Sequence, residues 1–145
     1  HNPFSGEMYS ARRGEGATLN GSPIHVSDRR LQDAIVTFGA TSYQKDITDR
    51  MFRTLRGLFD RCEDLRQFGA ASLDICRVAA GRLDAFLELR LYPWDFAAGM
   101  CVLLESGGRI TTADGGAVPF DAETSVLAAN AACYEEALAV CTGAR

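Results

Sequence analysis

Histidine is scarce in this sequence, and the cysteines lack the spacing of a metal site. The two histidines are His1 and His25, and none of the five cysteines belongs to a CxxC pair. A structural zinc ion needs four closely spaced sulfur or nitrogen ligands, so this composition argues against zinc. The GxSxG, P-loop and dinucleotide-binding motifs are also absent, which argues against serine hydrolysis and against those two modes of nucleotide binding.

A basic tract and a long hydrophobic run are lacking as well. The 19 acidic and 15 basic residues give a formal net charge of -4, and the basic residues are scattered. We therefore expect neither a nucleic-acid partner nor an anionic membrane partner. No apolar run approaches the roughly 20 residues that cross a bilayer. The odd number of widely spaced cysteines predicts reduced thiols and a cytoplasmic protein.

The residues that are present predict an α/β fold. With 145 residues, 47% of them hydrophobic, the chain is long enough for one domain, predicted over residues 1–145. Residues 7–26 have the pattern of strands and hairpins, and a β-branched strand is predicted around Ile35–Phe38. From residue 64 onwards, strands alternate with helices up to a closing helix over 131–141. This alternation predicts a layered α/β sheet.

One amphipathic helix is predicted after the strand at residues 35–38. Apolar residues recur on one predicted face of this helix, namely Met51, Phe52, Leu55, Leu58, Phe59 and Cys62. Asp46 or Thr48 is expected to cap its first turn, because side-chain oxygens accept hydrogen bonds from the free N–H groups there. The arginines between these positions are interpreted as a solvated face.

Two carboxylates are the candidate chemical groups. Glu88 interrupts an apolar strand, and Asp95 follows Pro93 and Trp94 at the start of a small-residue helix. Because they lie seven residues apart across a strand-to-helix turn, both can line one cleft at the carboxyl end of the strand. The alternatives are that Glu88 pairs with Arg90 or faces water, and that Asp95 only caps its helix. A two-metal hydrolase needs more carboxylates than these, so the residues alone indicate an incomplete acidic site.

Several motifs resemble the inositol monophosphatase family, whose members are Mg²⁺-dependent, Li⁺-sensitive sugar-phosphate phosphatases. The motifs are Gly69-Ala70-Ala71, Val78-Ala79-Ala80-Gly81, Trp94-Asp95-Phe96-Ala97-Ala98-Gly99 and Glu105-Ser106-Gly107-Gly108. The resemblance implies a layered α-β-α domain with a mixed central sheet, like the C-terminal half of the inositol monophosphatase and fructose bisphosphatase fold. It implies Mg²⁺ as the cofactor, a small sugar or polyol phosphate as the substrate, and a homodimer of the intact protein.

The resemblance also implies roles for individual residues. Asp95 matches the family's catalytic aspartate that binds metal, and Glu88 matches the glutamate that hydrogen-bonds substrate hydroxyls. Gly69, Ala70 and Ala71 match a backbone stretch that lines the sugar pocket. Ala70 departs from the pattern because it replaces a common serine or threonine, so a side-chain hydrogen bond is lost there while backbone contacts are expected to persist.

The family's remaining metal ligands come from a Glu-Glu pair and an Asp-Pro-x-Asp-Gly-Thr motif that lie upstream of the segment matched here. The second motif does not occur in this sequence, and the adjacent glutamates that the sequence does contain, Glu135 and Glu136, fall in the closing helix instead. The chain therefore resembles the substrate-side half of the family fold without the upstream metal-binding half. We expect it to be inactive alone and to act as a Mg²⁺-dependent phosphomonoesterase on inositol monophosphate once completed. Alternative substrates are fructose-1,6-bisphosphate, NADP(H), histidinol phosphate or a 3′-phosphonucleotide, and the alternative to an enzyme is a non-catalytic interaction module.

Overall fold

A five-stranded mixed sheet forms the centre of the computed structural model, which describes residues 1–40 and 43–143. The strands are β1 (Tyr9–Ala11), β2 (Ala17–Leu19), β3 (Ser22–Pro23), β4 (Ile35–Gly39), β5 (Asp64–Arg66), β6 (Ala85–Leu91), β7 (Arg109–Thr111) and β8 (Thr124–Ala129). The α-helices are α1 (Thr48–Phe59), α2 (Ala71–Ala79), α3 (Pro93–Glu105) and α4 (Tyr134–Gly143). The predicted α/β class and the order of its elements are confirmed.

The central sheet has the strand order β5-β4-β6-β8-β7. Strand β4 pairs in parallel with both β5 and β6, whereas β8 pairs antiparallel with β6 and β7. The first three strands form a separate antiparallel sheet in which Asn20 adopts a positive φ of 49° at the turn. The central sheet is therefore mixed, as the resemblance implies.

Helices cover both faces of the central sheet. On β6, Phe86 packs into the core formed with α2 and α3, while Ala85 and Leu87 pack into the core formed with α1 and α4. This alternation follows from the two-residue period of a strand. Glu88 has the same parity as Phe86, so it lies on the α2 and α3 side of the sheet. The predicted α-β-α layering is thus confirmed.

Helices α2 and α3 approach each other closely at Gly99. A Cβ atom at this position would lie only 3.0 Å from Cγ2 of Ile75, so a side chain here would push Ile75 aside by a few tenths of an ångström. Both helices begin at the same edge of the sheet. In the described ranges, every helix is too short or too polar to cross a membrane.

The predicted apolar face of α1 is only partly buried, and the expected cap of this helix is wrong. Met51, Leu55 and Leu58 are buried, but Phe52 and Phe59 are 63% and 65% exposed, because these phenylalanines lie at the margin of the helix face that meets the sheet. Ile47 occupies the N-cap position of α1, and no side-chain hydrogen bond from the described residues caps this helix.

Candidate active site

A cleft of about 370 Å³ opens where the parallel strands β4 and β6 end and where α2 and α3 begin. Ligands of α/β proteins bind at this edge of a sheet, because the loops after the strands leave a crevice there. All five residues predicted for the site line this cleft, namely Gly69, Ala70, Ala71, Glu88 and Asp95. The expectation that Glu88 and Asp95 face one cleft is therefore met by the geometry.

The start of α3 fixes the orientation of Asp95. Pro93 is the first residue of α3 and Tyr92 is its N-cap residue, a position for proline that costs no hydrogen bond. The Tyr92 N–H donates to Oδ2 of Asp95 at 2.9 Å, and the Asp95 N–H donates to the Tyr92 carbonyl at 2.9 Å. Asp95 thus caps the first turn of α3 from the third helical position, as a helix-start role predicts, and the same contacts hold its carboxylate at the cleft.

Glu88 lies against the end of β4 within the cleft. It is the register partner of Gly39 in the parallel pairing of the two strands, and its carboxylate occupies the space beside the Gly39 Cα. Burial raises the pKa of Glu88 to about 7, with smaller contributions from the negative charges of Asp95 and Asp74. Glu88 can therefore either accept or donate a hydrogen bond near neutral pH.

Glu88 does not pair with Arg90, so that alternative is wrong. The guanidinium of Arg90 binds Asp46 on one side, with 3.1 Å between Nη1 and Oδ1, and Glu123 on the other, with 3.4 Å between Nε and Oε1. These outward contacts leave the Glu88 carboxylate available to the cleft.

Asp74 is a site residue that the sequence analysis missed. It lies in the first turn of α2, is 1% exposed and lines the cleft. Its Oδ1 accepts a hydrogen bond of 2.7 Å from Arg77 Nη1, and burial raises the pKa of Asp74 against the effect of that arginine. A sequence signal for the burial of Asp74 exists, because Ala71 lies three residues before it and Val78 four residues after it, on the same face of the helix.

The stretch from residue 69 to 71 leads directly into α2. Gly69 has a φ of +86°, a conformation that favours glycine, and Ala70 is the N-cap residue of the helix. Because Ala70 has no side-chain oxygen, no side-chain hydrogen bond from the described residues caps α2. The Leu73 and Asp74 N–H groups donate to the Ala70 carbonyl. The amides of Ala71 and Ser72 are therefore the donors left for a ligand or for water.

Aromatic rings form the outer rim of the cleft. Tyr92 and Trp94 stack with 4.8 Å between ring centroids and 6° between ring planes, and Trp94 is 77% exposed. The hydroxyl of Tyr92 donates to Glu123 Oε2 at 3.2 Å, which ties the rim to the loop before β8. The stacked pair stiffens the turn that presents Asp95.

The raised pKa of Glu88 predicts a specific pH dependence of stability in the metal-free chain. The folded state binds a proton at Glu88 between the ordinary pKa of 4.5 and about 7, so this residue destabilises the fold as the pH rises through that window. Glu88→Gln should therefore raise the melting temperature at pH 8 and leave it nearly unchanged at pH 4.5. Thermal unfolding at both pH values measures this, with the exposed Glu63→Gln as the matched control, and an equal effect of Glu88→Gln at both pH values would contradict it.

Comparisons with known proteins agree in pointing to one family. The sequence model that describes the inositol monophosphatase family matches residues 1–142. The chain is 38% identical over 117 residues to the Nus factor SuhB of Vibrio cholerae, a match that covers 80% of this chain and 44% of the relative. It is 39% identical over 126 residues to the inositol-1-monophosphatase of Rhizobium meliloti, covering 86% of this chain and 47% of the relative.

A solved structure extends the similarity to three dimensions. The extragenic suppressor protein suhB of Bartonella henselae superposes with a TM-score of 0.91 at 33% sequence identity. That match covers 97% of this chain and 54% of the solved chain. The chain thus spans about half the length of the curated relatives that it matches.

Proposed function

The chain belongs to the inositol monophosphatase family, and from this premise we propose that it is the substrate-binding half of a Mg²⁺-dependent phosphomonoesterase. Its substrate is inositol monophosphate or a related polyol or sugar phosphate. The observation that carries the proposal is the meeting of Glu88, Asp95 and the 69–71 stretch in one cleft. In this proposal residues 1–145 form one domain, and an upstream half supplies the other wall of the active site.

Asp95 supplies one of the metal ligands in this proposal. Its carboxylate is oriented by Tyr92 at the edge of the cleft, and carboxylate oxygen is the ligand type that Mg²⁺ prefers. Within the described ranges, no three acidic, histidine or cysteine side chains come close enough to hold an ion together. Asp95 therefore fits as a partial ligand, completed by upstream carboxylates. When bound, Mg²⁺ would activate water for in-line attack on phosphorus and neutralise charge on the leaving oxygen.

Glu88 and the 69–71 stretch select the substrate. The Glu88 carboxylate accepts hydrogen bonds from ring hydroxyls, and Gly69, Ala70 and Ala71 contact the ring through their backbone. Fructose-1,6-bisphosphate, NADP(H), histidinol phosphate and 3′-phosphonucleotides are the alternative substrates with the same chemistry. A carboxylate in the pocket disfavours a second phosphate by charge repulsion, which supports a hydroxyl-rich monophosphate. The proposed enzyme is a cytoplasmic homodimer, in line with its free cysteines and with the dimers common in the family.

The test joins this chain to the upstream half of a family member and measures phosphate release. We expect turnover of inositol monophosphate that requires Mg²⁺, is lost with a chelator and exceeds that of fructose-1,6-bisphosphate. The chain without the upstream half is the control and should release no phosphate. A preference for the bisphosphate would contradict the proposed substrate, and absence of turnover on every phosphomonoester would contradict the proposed reaction.

A second candidate function is a non-catalytic interaction module. The name of the Vibrio cholerae relative, Nus factor SuhB, favours it, as does the lack of a three-residue ligand set in the described ranges. Calorimetry of the isolated chain with Mg²⁺ tests it, because a module without a metal site of its own should not bind the ion. A dissociation constant tighter than about 1 mM would argue against this module.

A further inference from the structure

Gly39 is the last residue of β4, and the Glu88 carboxylate occupies the place that its side chain would take. The two residues are register partners in neighbouring parallel strands, so their side-chain positions face the same side of the sheet. A Cβ atom at residue 39 would lie 2.8 Å from Oε1 of Glu88 and closer still to Oε2. Such contacts are far shorter than the 3.5–4.0 Å or so of ordinary van der Waals contact, so the carboxylate cannot keep its place beside any side chain here.

A need for a left-handed backbone conformation does not explain why residue 39 is a glycine. Gly39 is not among the residues with a positive φ, so an L-residue fits its backbone. Glycine loses more conformational freedom on folding than alanine does, so alanine would ordinarily be the more favourable residue here. The space taken by Glu88 is the feature that an alanine would disturb, and Gly39 also lines the cleft.

We propose that Gly39 is a positioning residue that sets where the Glu88 carboxylate lies in the cleft and thereby determines the preference for hydroxyl-rich substrates. The inference rests on the proposed function of Glu88. A side chain at residue 39 moves the carboxylate away from β4 and from the substrate hydroxyls. Asp95 is held separately by the backbone of Tyr92 at the start of α3, so the reaction at phosphorus should be unaffected.

The experiment compares Gly39→Ala with the unchanged protein, each joined to the upstream half of a family member. We expect the KM for inositol monophosphate to rise about tenfold or more, the loss typical of a hydrogen bond to a charged group. The kcat should change less than the KM. For p-nitrophenyl phosphate, which has no ring hydroxyls, kcat/KM should stay within about twofold. Gly116→Ala is the matched control, since a Cβ there makes only an ordinary contact with Thr112.

A second substitution at Glu88 distinguishes a positioning role of Gly39 from a purely structural one. In the double variant Gly39→Ala/Glu88→Asp, the shorter side chain withdraws its carboxylate from the new methyl group. The KM of this double variant for inositol monophosphate should therefore be at least threefold lower than that of Gly39→Ala. Glu88→Asp alone should weaken inositol monophosphate binding. Equal losses on both substrates, or a KM for inositol monophosphate that Gly39→Ala does not change, would overturn the proposal.

A structure of Gly39→Ala distinguishes failure of this inference from failure of the proposed function. The Glu88 carboxylate should be displaced from β4 while the hydrogen bond between Tyr92 and Asp95 remains. If the joined protein hydrolyses neither substrate, the proposed function fails and the substrate preference with it, whereas the position of Glu88 still decides whether Gly39 positions the carboxylate. An undisplaced carboxylate overturns the inference.

Discussion

Replacing Asp95 with asparagine is expected to lower the kcat of the joined phosphatase by about a thousandfold, the scale of losing a major electrostatic contact to the transition state. Asparagine keeps the size of the side chain, and its oxygen can still accept the hydrogen bond from the Tyr92 N–H. The change therefore removes the negative charge, which the proposed metal ligand needs, while it preserves the helix cap. Steady-state kinetics on inositol monophosphate at saturating Mg²⁺ measure the effect.

The matched control for this prediction is Asp121→Asn, an exposed aspartate outside the cleft. It should leave kcat unchanged, and both variants should unfold at temperatures close to that of the unchanged protein. Near-normal turnover in Asp95→Asn would remove Asp95 from the metal site and the phosphatase proposal with it. A large drop in melting temperature would instead assign Asp95 a purely structural role.

The order of the elements and the cleft could be predicted because their signals are local. Strand β6 and helix α3 differ in hydrophobic period, and Pro93 marks the boundary between them. The turn joining them fixes the separation of Glu88 and Asp95, whatever the rest of the fold does. A sequence pattern can therefore place both carboxylates at one edge of the sheet.

The partners of the charged residues could not be predicted because they depend on distant segments. Arg90 binds Asp46, 44 positions earlier in the chain, rather than its neighbour Glu88. Asp74 has a local partner in Arg77, but its place in the cleft depends on how α2 packs against β6. Likewise, Phe52 fits an apolar pattern, yet its exposure depends on the angle at which α1 crosses the sheet.

Asp84 shows the same dependence on long-range contacts in the core. Asp84 is fully buried at the turn between α2 and β6. The residues next to it in the sequence form no pattern that predicts this burial. Its Oδ2 accepts a hydrogen bond of 2.7 Å from the Ile35 N–H at the start of β4, and Oδ1 accepts one of 3.0 Å from Arg29 Nε. The hydroxyl of Ser27 also donates to Oδ1, and the side chain of Asn130 lies 3.4 Å from it. One carboxylate thus joins the segment after the small sheet to three parts of the central sheet.

Asp84→Asn is expected to destabilise the fold by about 1–3 kcal/mol, the cost of leaving a buried donor without its acceptor, because Arg29 is 40% exposed and water can solvate its charge. The new amide group presents N–H donors where Ile35, Ser27 or Arg29 also donate, so at least one buried donor loses its acceptor. For a chain of this size the melting temperature should fall by about 3–10 °C. Thermal unfolding at pH 7 measures the change, with Asp121→Asn again as the control. A shift below about 1 kcal/mol would mean that the four donors find other acceptors, and that Asp84 does not hold these segments together.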